Sequence, residues 1–371
     1  MLPRLLLAIL ALPSTALAQE TVRAILPPRA PLPAEAASAG VTRFSFIAYG
    51  DTRGRREGKD EQYEHNLVVE TMLGTVKRLE STPFPVRFVV MTGDAVMNGR
   101  DPRQWNVSFA TIVNRLTQGA GLPYYLSPGN HDVGFVLGEK TDRGAGLRNY
   151  LAAMSDLVPR DGNLRRLDGY PTYAFAYGNA FFLALDSNIA SDERQLGWIE
   201  KQLDGLDRAR FRHVIAFFHH PVFSSGPHGG TRVEASTATL RKRYMPLFRK
   251  HHVALVLTGH EHLFEHWVER YEQGGHKHRL DQVVTGGGGA PIYTFQGRPD
   301  LREYLAAGQS EKVAVTQIVR PGPDAGDNPY HYVVVQVDGD RLRVEVVGVD
   351  WGAGFSPYRS RGTALVDEEP R

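Results

Sequence analysis

Five times in this chain a run of β-forming apolar residues ends, in four cases through a glycine, on a side chain able to bind a metal. Phe46-Ile47-Ala48-Tyr49 leads to Gly50-Asp51, and Phe88-Val89-Val90-Met91-Thr92 leads to Gly93-Asp94. Tyr124 to Pro128 leads to Gly129-Asn130-His131-Asp132, and Val214 to Phe218 runs straight into His219-His220-Pro221. Leu255 to Thr258 leads to Gly259-His260-Glu261-His262. A polar residue directly after a buried strand lies just beyond the carboxyl edge of an open sheet, where such folds gather their sites, and glycine permits the sharp turn. Residues far apart in the chain are thereby expected to meet at one spot.

Between these runs lie amphipathic stretches, Gln62 to Leu79 and Pro102 to Leu116 behind Asp101 as N-cap, and the alternation predicts an α/β fold. Residues 133–170 read as mostly irregular with one helix, Leu147 to Leu157. Thr172 to Tyr177 and Ala180 to Leu185 flank Gly178-Asn179, a hairpin signal, and Ser191 is placed to cap a helix running to Leu206. Further strands are expected at Val214 to Phe218, Val253 to Leu257, Val283 to Thr285, Tyr332 to Val337 and Leu342 to Val349, the last two joined at Asp338-Gly339. No internal repeat is visible.

Arg4, the apolar run Leu5 to Leu12 and Ala16-Leu17-Ala18 follow the pattern of a signal peptide over residues 1–18 that is removed on export to a periplasm or outside the cell. The run is shorter than the roughly 20 residues a membrane span needs, so no stable membrane insertion is expected after cleavage. Residues 19–40, rich in Ala and Pro, read as a linker, 41–350 as the folded domain and 351–371 as a loosely held tail. Net charge is only +2 from 43 basic and 41 acidic residues, without a basic block, so nucleic acid is not an expected partner. With no cysteine in the chain, disulfides and thiolate ligands are excluded, and any metal must be held by His, Asp, Asn and similar groups.

Taken singly the motifs are weak, since Asp and Gly are turn formers. Gly259-His260-Glu261-His262 says more, because positions i and i+2 of an extended segment point the same way. Gly129-Asn130-His131-Asp132 is the sharpest, a polar triplet where a buried strand end tolerates only satisfied groups. In this order, Gly-Asp, Gly-Asp, Gly-Asn-His-Asp, His-x-Pro and Gly-His-x-His resemble the calcineurin-like metallophosphoesterases, nearest their purple acid phosphatase branch, over residues 43–293. The resemblance implies a four-layer α/β/β/α sandwich of two mixed sheets with helices outside, binding two metal ions at the strand ends.

Carried over residue by residue, it implies that Asp94 bridges both metals, that Asp51 and His262 complete one shell, and that Asn130, His219 and His260 hold the other. His219 is preferred to His220 because the family's ligand stands two residues before the proline. Imidazole, amide and carboxylate ligands suit Fe, Zn or Mn. His131 would contact the scissile phosphate or protonate the leaving oxygen, with Asp132 holding its ring. His228, nine residues beyond His219, falls where the purple branch carries a substrate-contacting histidine.

Two departures stand out. Asp51-Thr52-Arg53 carries an arginine where many relatives have a third-position histidine ligand, and Met97 stands where the purple branch has a tyrosinate. The first metal is thus one protein ligand short, a gap for water, Tyr63 or His65, while Arg53 suits a phosphate oxygen. The expected activity is hydrolysis of a small-molecule phosphate ester, a monoester first, by metal-activated hydroxide. A phosphodiesterase or nucleotide pyrophosphohydrolase on the same scaffold is the alternative, and a metal-dependent binding protein with weak turnover the second. Serine-hydrolase and nucleotide-binding motifs are absent. Oligomeric state is not encoded in any of these features.

Overall fold

A computed structural model describes residues 20–134, 143–158, 165–350 and 352–353. The expected signal peptide, nearly all of the expected tail and parts of the 133–170 segment lie outside the described residues.

Along the chain the strands are β1 (Arg43–Tyr49), β2 (Val86–Met91), β3 (Tyr124–Leu126), β4 (Arg165–Arg166), β5 (Tyr173–Tyr177), β6 (Ala180–Ala184) and β7 (His213–Phe217). They continue as β8 (Leu255–Thr258), β9 (Phe264–Gln273), β10 (His276–Thr285), β11 (Ala314–Val319), β12 (His331–Asp338), β13 (Arg341–Gly348) and β14 (Gly352–Ala353). Among the described residues they form two mixed sheets, of order β14-β13-β12-β1-β2-β3 and β11-β9-β10-β8-β7-β6-β5-β4. β1, β2 and β3 run parallel, as do β6, β7, β8 and β10. Parallel neighbours end on the same side, and this puts the five motif-bearing strand ends at one pole.

Each sheet is covered on both faces, which accounts for its apolar runs. Phe46, Phe88, Phe175 and Phe182 point into the space between the sheets, Phe46 stacking on Phe88 at 5.2 Å and Phe88 meeting Phe182 edge to face at 5.1 Å. The next residues along β6, Phe181 and Leu183, point the other way, into a second core with Ile199, Leu240 and Phe248 from helices Glu193–Asp204 and Ala235–Lys250. Helix Tyr63–Leu79 covers the opposite sheet with Val68, Val69 and Met72. The layers are therefore α/β/β/α, as the resemblance implied. No helix of the described residues is long and apolar enough to cross a membrane.

Several expectations need correction. The hairpin β9/β10, turning at Gly274-Gly275, is far longer than the expected strand Val283 to Thr285, and β11 was not expected at all. The helix after Ser191 is capped by Asp192, whose side chain accepts from Gln195 N at 2.9 Å. The helix expected at Leu147 to Leu157 spans Arg143–Ala153. The Ala/Pro-rich stretch does not hang free where it is described: Ile25 is fully buried and its N–H donates to Ala153 O, while Glu35 pairs with Arg165 and Arg210. Val22, Ile25 and Leu32 supply the apolar contacts that a Pro/Ala composition hides.

Phe88 touches rings from both sheets, including Tyr125 and Phe175. Phe88→Ala should destabilise the fold by about 3–5 kcal/mol in equilibrium denaturation, with a cavity between the sheets. A loss below about 1 kcal/mol would show that the two sheets are not clamped there.

Candidate metal centre

Backbone hydrogen bonds lash the strand-end loops together. Asp51 N donates to Gly93 O (2.9 Å), Thr52 N to Asp94 O (3.0 Å) and Gly259 N to His219 O (3.0 Å). His260 N donates to both Asp51 carboxylate oxygens, at 2.9 and 3.1 Å. Asp51, Asp94 and His260 hold positive φ angles of 61°, 55° and 68°. Non-glycine residues adopt this region at a cost of order 1–3 kcal/mol each and keep it only where the surroundings impose it. A Cβ on Gly129 would lie 2.1 Å from Asp94 Oδ1, and one on Gly259 would lie 2.3 Å from Asp51 Oδ2. Both positions must be glycine for the carboxylates to sit where they do.

The histidine rings carry the chemical argument. His219 Nδ1 sits 3.0 Å from Thr92 O, an acceptor only, so it is the N–H and Nε2 bears the lone pair of a neutral ring. His260 Nε2 lies 3.0 Å from a Glu234 carboxylate oxygen and so carries an N–H, and in the neutral ring that binds a metal the lone pair is on Nδ1. By the same reasoning His262 Nδ1 donates to Pro291 O at 2.8 Å and His131 Nδ1 to Met97 O at 2.8 Å, so both turn Nε2 outward. Burial holds the His219 imidazole neutral, its pKa lowered to about 3, and pushes that of His262 well below the ordinary value.

These lone pairs converge. His219 Nε2 lies 2.8 Å from Asn130 Oδ1, 3.1 Å from His260 Nδ1 and 3.4 Å from Asp94 Oδ1. Acceptors facing one another at that range repel unless a cation lies among them, and ligands bound to one cation at ~2.0–2.2 Å stand about 3 Å apart. Across Asp94, the ligand atoms of Asp51, Asp94 and His262 all lie within 4.8 Å of one another. Burial opposes ionisation of Asp94, yet His219, His131 and Arg53 around it hold its carboxyl below the ordinary carboxylate range. For Asp51, burial and then the Asp94 charge push the carboxyl well up. Two sets of oxygen and nitrogen donors on either side of one buried carboxylate fit a pair of cations.

All six predicted ligands thus meet at this pole, and so do the other singled-out residues, not always in the expected manner. His131 lies with Nε2 3.9 Å from Asp94 Oδ2. Asp132 does not serve as the expected holder of the His131 ring: its carboxylate accepts from Ala95 N, Val96 N and Gly129 N, fastening the loops after β2 and β3, while Met97 O takes the ring N–H. His228 Nδ1 bonds Glu234 at 2.8 Å and its ring lies 4.5 Å from that of His260. Arg53 reaches Asp94 and His262 instead of standing free for an anion. Neither residue named for the missing ligand fills the gap, since Tyr63 is 69% exposed and His65 is buried on the Tyr49 hydroxyl at 3.0 Å.

Sequence reasoning missed Glu234 and Tyr293. Glu234 joins His260 to His228, and its carboxylate also lies within 4.8 Å of donor atoms on His220 and His260, a third ligand-like group. His220 is held by Ser187 Oγ at 2.8 Å. Tyr293 stacks on His262 at 4.1 Å. No motif announces either residue; only their places on loops beside the site do.

A family model described as calcineurin-like phosphoesterase matches residues 65–264. Fe(3+)-Zn(2+) purple acid phosphatase 12 of Arabidopsis thaliana is 26% identical over 223 residues, covering 57% of this chain and 44% of its own length. This chain therefore spans less than half of that relative. Among solved structures, the purple acid phosphatase PPD1 from yellow lupin (Lupinus luteus) seeds superposes with a TM-score of 0.59 at 18% identity, over 87% of this chain and 53% of that one. GAP50, the anchor in the inner membrane complex of Plasmodium, does so at 0.50 and 15% identity, over 89% and 90%. At such identities the structural matches speak for the fold alone.

Burial lowers His65 and His219 to about 3 and His331 to about 4, from 6.5. A histidine kept neutral in the fold binds fewer protons than in the unfolded chain between these values, so stability rises with pH there. Chelator-treated protein should lose stability as pH falls from 6.5 toward 4, read as a falling urea midpoint. A midpoint constant over that window would contradict the assignment of these rings as buried and neutral.

Proposed function

Because the chain belongs to the calcineurin-like phosphoesterases, we propose that it hydrolyses phosphate esters at a two-cation centre arranged about Asp94. The observation that carries this reading is the convergence of lone pairs from Asn130, His219 and His260 on one side of that carboxylate, with Asp51 and His262 on the other. When bound, a pair of Fe, Zn or Mn ions supplies Lewis acidity toward a phosphoryl oxygen and lowers the pKa of water.

The chain's own residues do the rest. Asp94 presents Oδ1 toward His219 and Oδ2 toward Arg53 and His131, and its burial keeps water from screening the charge it offers. His131, fixed by Met97 O, holds Nε2 3.9 Å from Asp94 Oδ2, and a protonated ring there would donate to the leaving oxygen. Asp132 keeps that ring in place indirectly, through the loop backbone. Glu234 anchors His260 and His228 together, fixing the tautomer of a ligand in the way carboxylates behind metal-bound histidines do. No serine or cysteine nucleophile is needed.

The substrate class is a small phosphate ester, with a monoester preferred. A terminal phosphate carries more negative charge than a diester and so gains more from a pair of cations and from a protonated His131. Likeness to purple acid phosphatases supports the same preference. The leader pattern at residues 1–18 supports a periplasmic or secreted protein.

Hydrolysis of nitrophenyl mono- and diesters, with metal content measured in parallel, tests this reading. Metal-loaded protein should turn over the monoester faster, chelation should abolish turnover, and His131→Ala should lower kcat by about 10²–10⁴-fold with metal content retained. Turnover by the chelated protein would refute the two-cation reading, faster diester hydrolysis would replace the monoester preference, and an unchanged His131→Ala rate would remove the acid role.

A further inference from the structure

Arg53 touches the centre differently from every other residue there. Its Nε lies 3.1 Å from Asp94 Oδ2, one terminal nitrogen lies 3.2 Å from His262 Nε2, and the other lies 3.4 Å from Met97 Sδ. The first two partners belong to the Asp51, Asp94 and His262 group, in which His262 Nε2 lies 3.6 Å from Asp51 Oδ1. His262 Nδ1 is committed to Pro291 O, so its Nε2 can only accept. Asp94 Oδ1 takes the His131 N–H at 3.0 Å, so Oδ2 is the oxygen left for a positive partner on this side. The Arg53 side chain is only 13% exposed, and its guanidinium supplies the positive charge that this position calls for.

The other position has nothing comparable. Asn130 Oδ1, His219 Nε2 and His260 Nδ1 face one another at 2.8 and 3.1 Å, and among the described residues no Lys or Arg is paired with them. A guanidinium also keeps its charge at every working pH, so it cannot yield its place by losing a proton; it has to move.

We propose that Arg53 is a built-in competitor for one of the two cations. The first ion seats at Asn130, His219 and His260. A second enters the Asp51, Asp94 and His262 position only by displacing the Arg53 guanidinium, which is then free to pair with a phosphate group, its natural partner. The inference rests on the two-cation reading and adds an order of loading and a coupling to it. Phosphate that holds Arg53 away from Asp94 and His262 vacates the second position, and reciprocity requires that the second cation then strengthen phosphate binding by the same factor. In the metal-free chain Arg53 offsets the buried Asp51 and Asp94 charges, so its removal should weaken the fold only when the metals are absent.

Calorimetric titration of the chelator-stripped full chain with Mn²⁺, with and without inorganic phosphate, separates the cases. Wild type should bind two ions in unequal steps, the weaker tightened by phosphate by about 5–150-fold. Arg53→Ala and Arg53→Gln should tighten that weaker step without phosphate, abolish the phosphate effect and lower the Tm of metal-free protein more than that of loaded protein. Arg53→Lys, which keeps the charge without the two-pronged reach, should fall between them and guards against misfolding of the neutral variants. Two equal steps in wild type, or a second step unmoved in all three variants, would overturn the competitor role and leave the two-cation centre standing. Failure of wild type and variants alike to bind Mn²⁺ or Zn²⁺ would overturn both.

Discussion

A buried carboxylate flanked by imidazole lone pairs is the arrangement on which the rest of this molecule depends. Asp94 sits at the seam between the sheets, within reach of His219 from one and of Arg53 and His131 from the other. An anion so placed is costly to bury unless positive charge answers it. Arg53 answers part of that demand, and the geometry at His219, His260 and Asn130 leaves a further part for cations. The fold can be understood as the scaffold that keeps these like-natured acceptors close together against their mutual repulsion.

That scaffold has to be stiff. Three of the converging residues hold left-handed backbone conformations, and two neighbouring glycines have no room for a side chain. Such strain is held by cooperating elements: the interlocked aromatics around Phe88, the parallel strands that end at a common level, and the Asp132 carboxylate that ties the loops after β2 and β3. The His219 ring, donating to Thr92 O, is itself a link between the sheets. Stability and site geometry are therefore the same set of contacts seen from two sides.

Much of this was legible in the sequence because burial on both faces produces unbroken apolar runs, and because a ligand must follow such a run directly. β1, β2, β3, β7 and β8 and the metal-capable residues that follow them are legible from that pattern, while the choice of six among those residues came from the family resemblance. β9 and β10 were mostly illegible: Glu265, His266, Glu269 and Asp281 interrupt the apolar alternation, and each is buried against a partner that folding brings to it, as with Glu265 on Ser225, His266 on Asp281, or Glu269 on Arg249 and Tyr304. Glu234 was missed for a similar reason, since its meaning lies in two histidines brought to it by folding. The Asp132 contact was misjudged because sequence adjacency suggested a ring contact, whereas backbone N–H groups of two loops claim its carboxylate, and the hold of Asp94 and His262 on Arg53 is made only by folding.

Anomalous diffraction from crystals grown with saturating Zn²⁺ or Mn²⁺ tests the central claim most directly. The account predicts two peaks about 3.5–4 Å apart on either side of the Asp94 carboxylate, one against Asn130, His219 and His260 and the other against Asp51 and His262. Peaks elsewhere, or none at this pole, would contradict it.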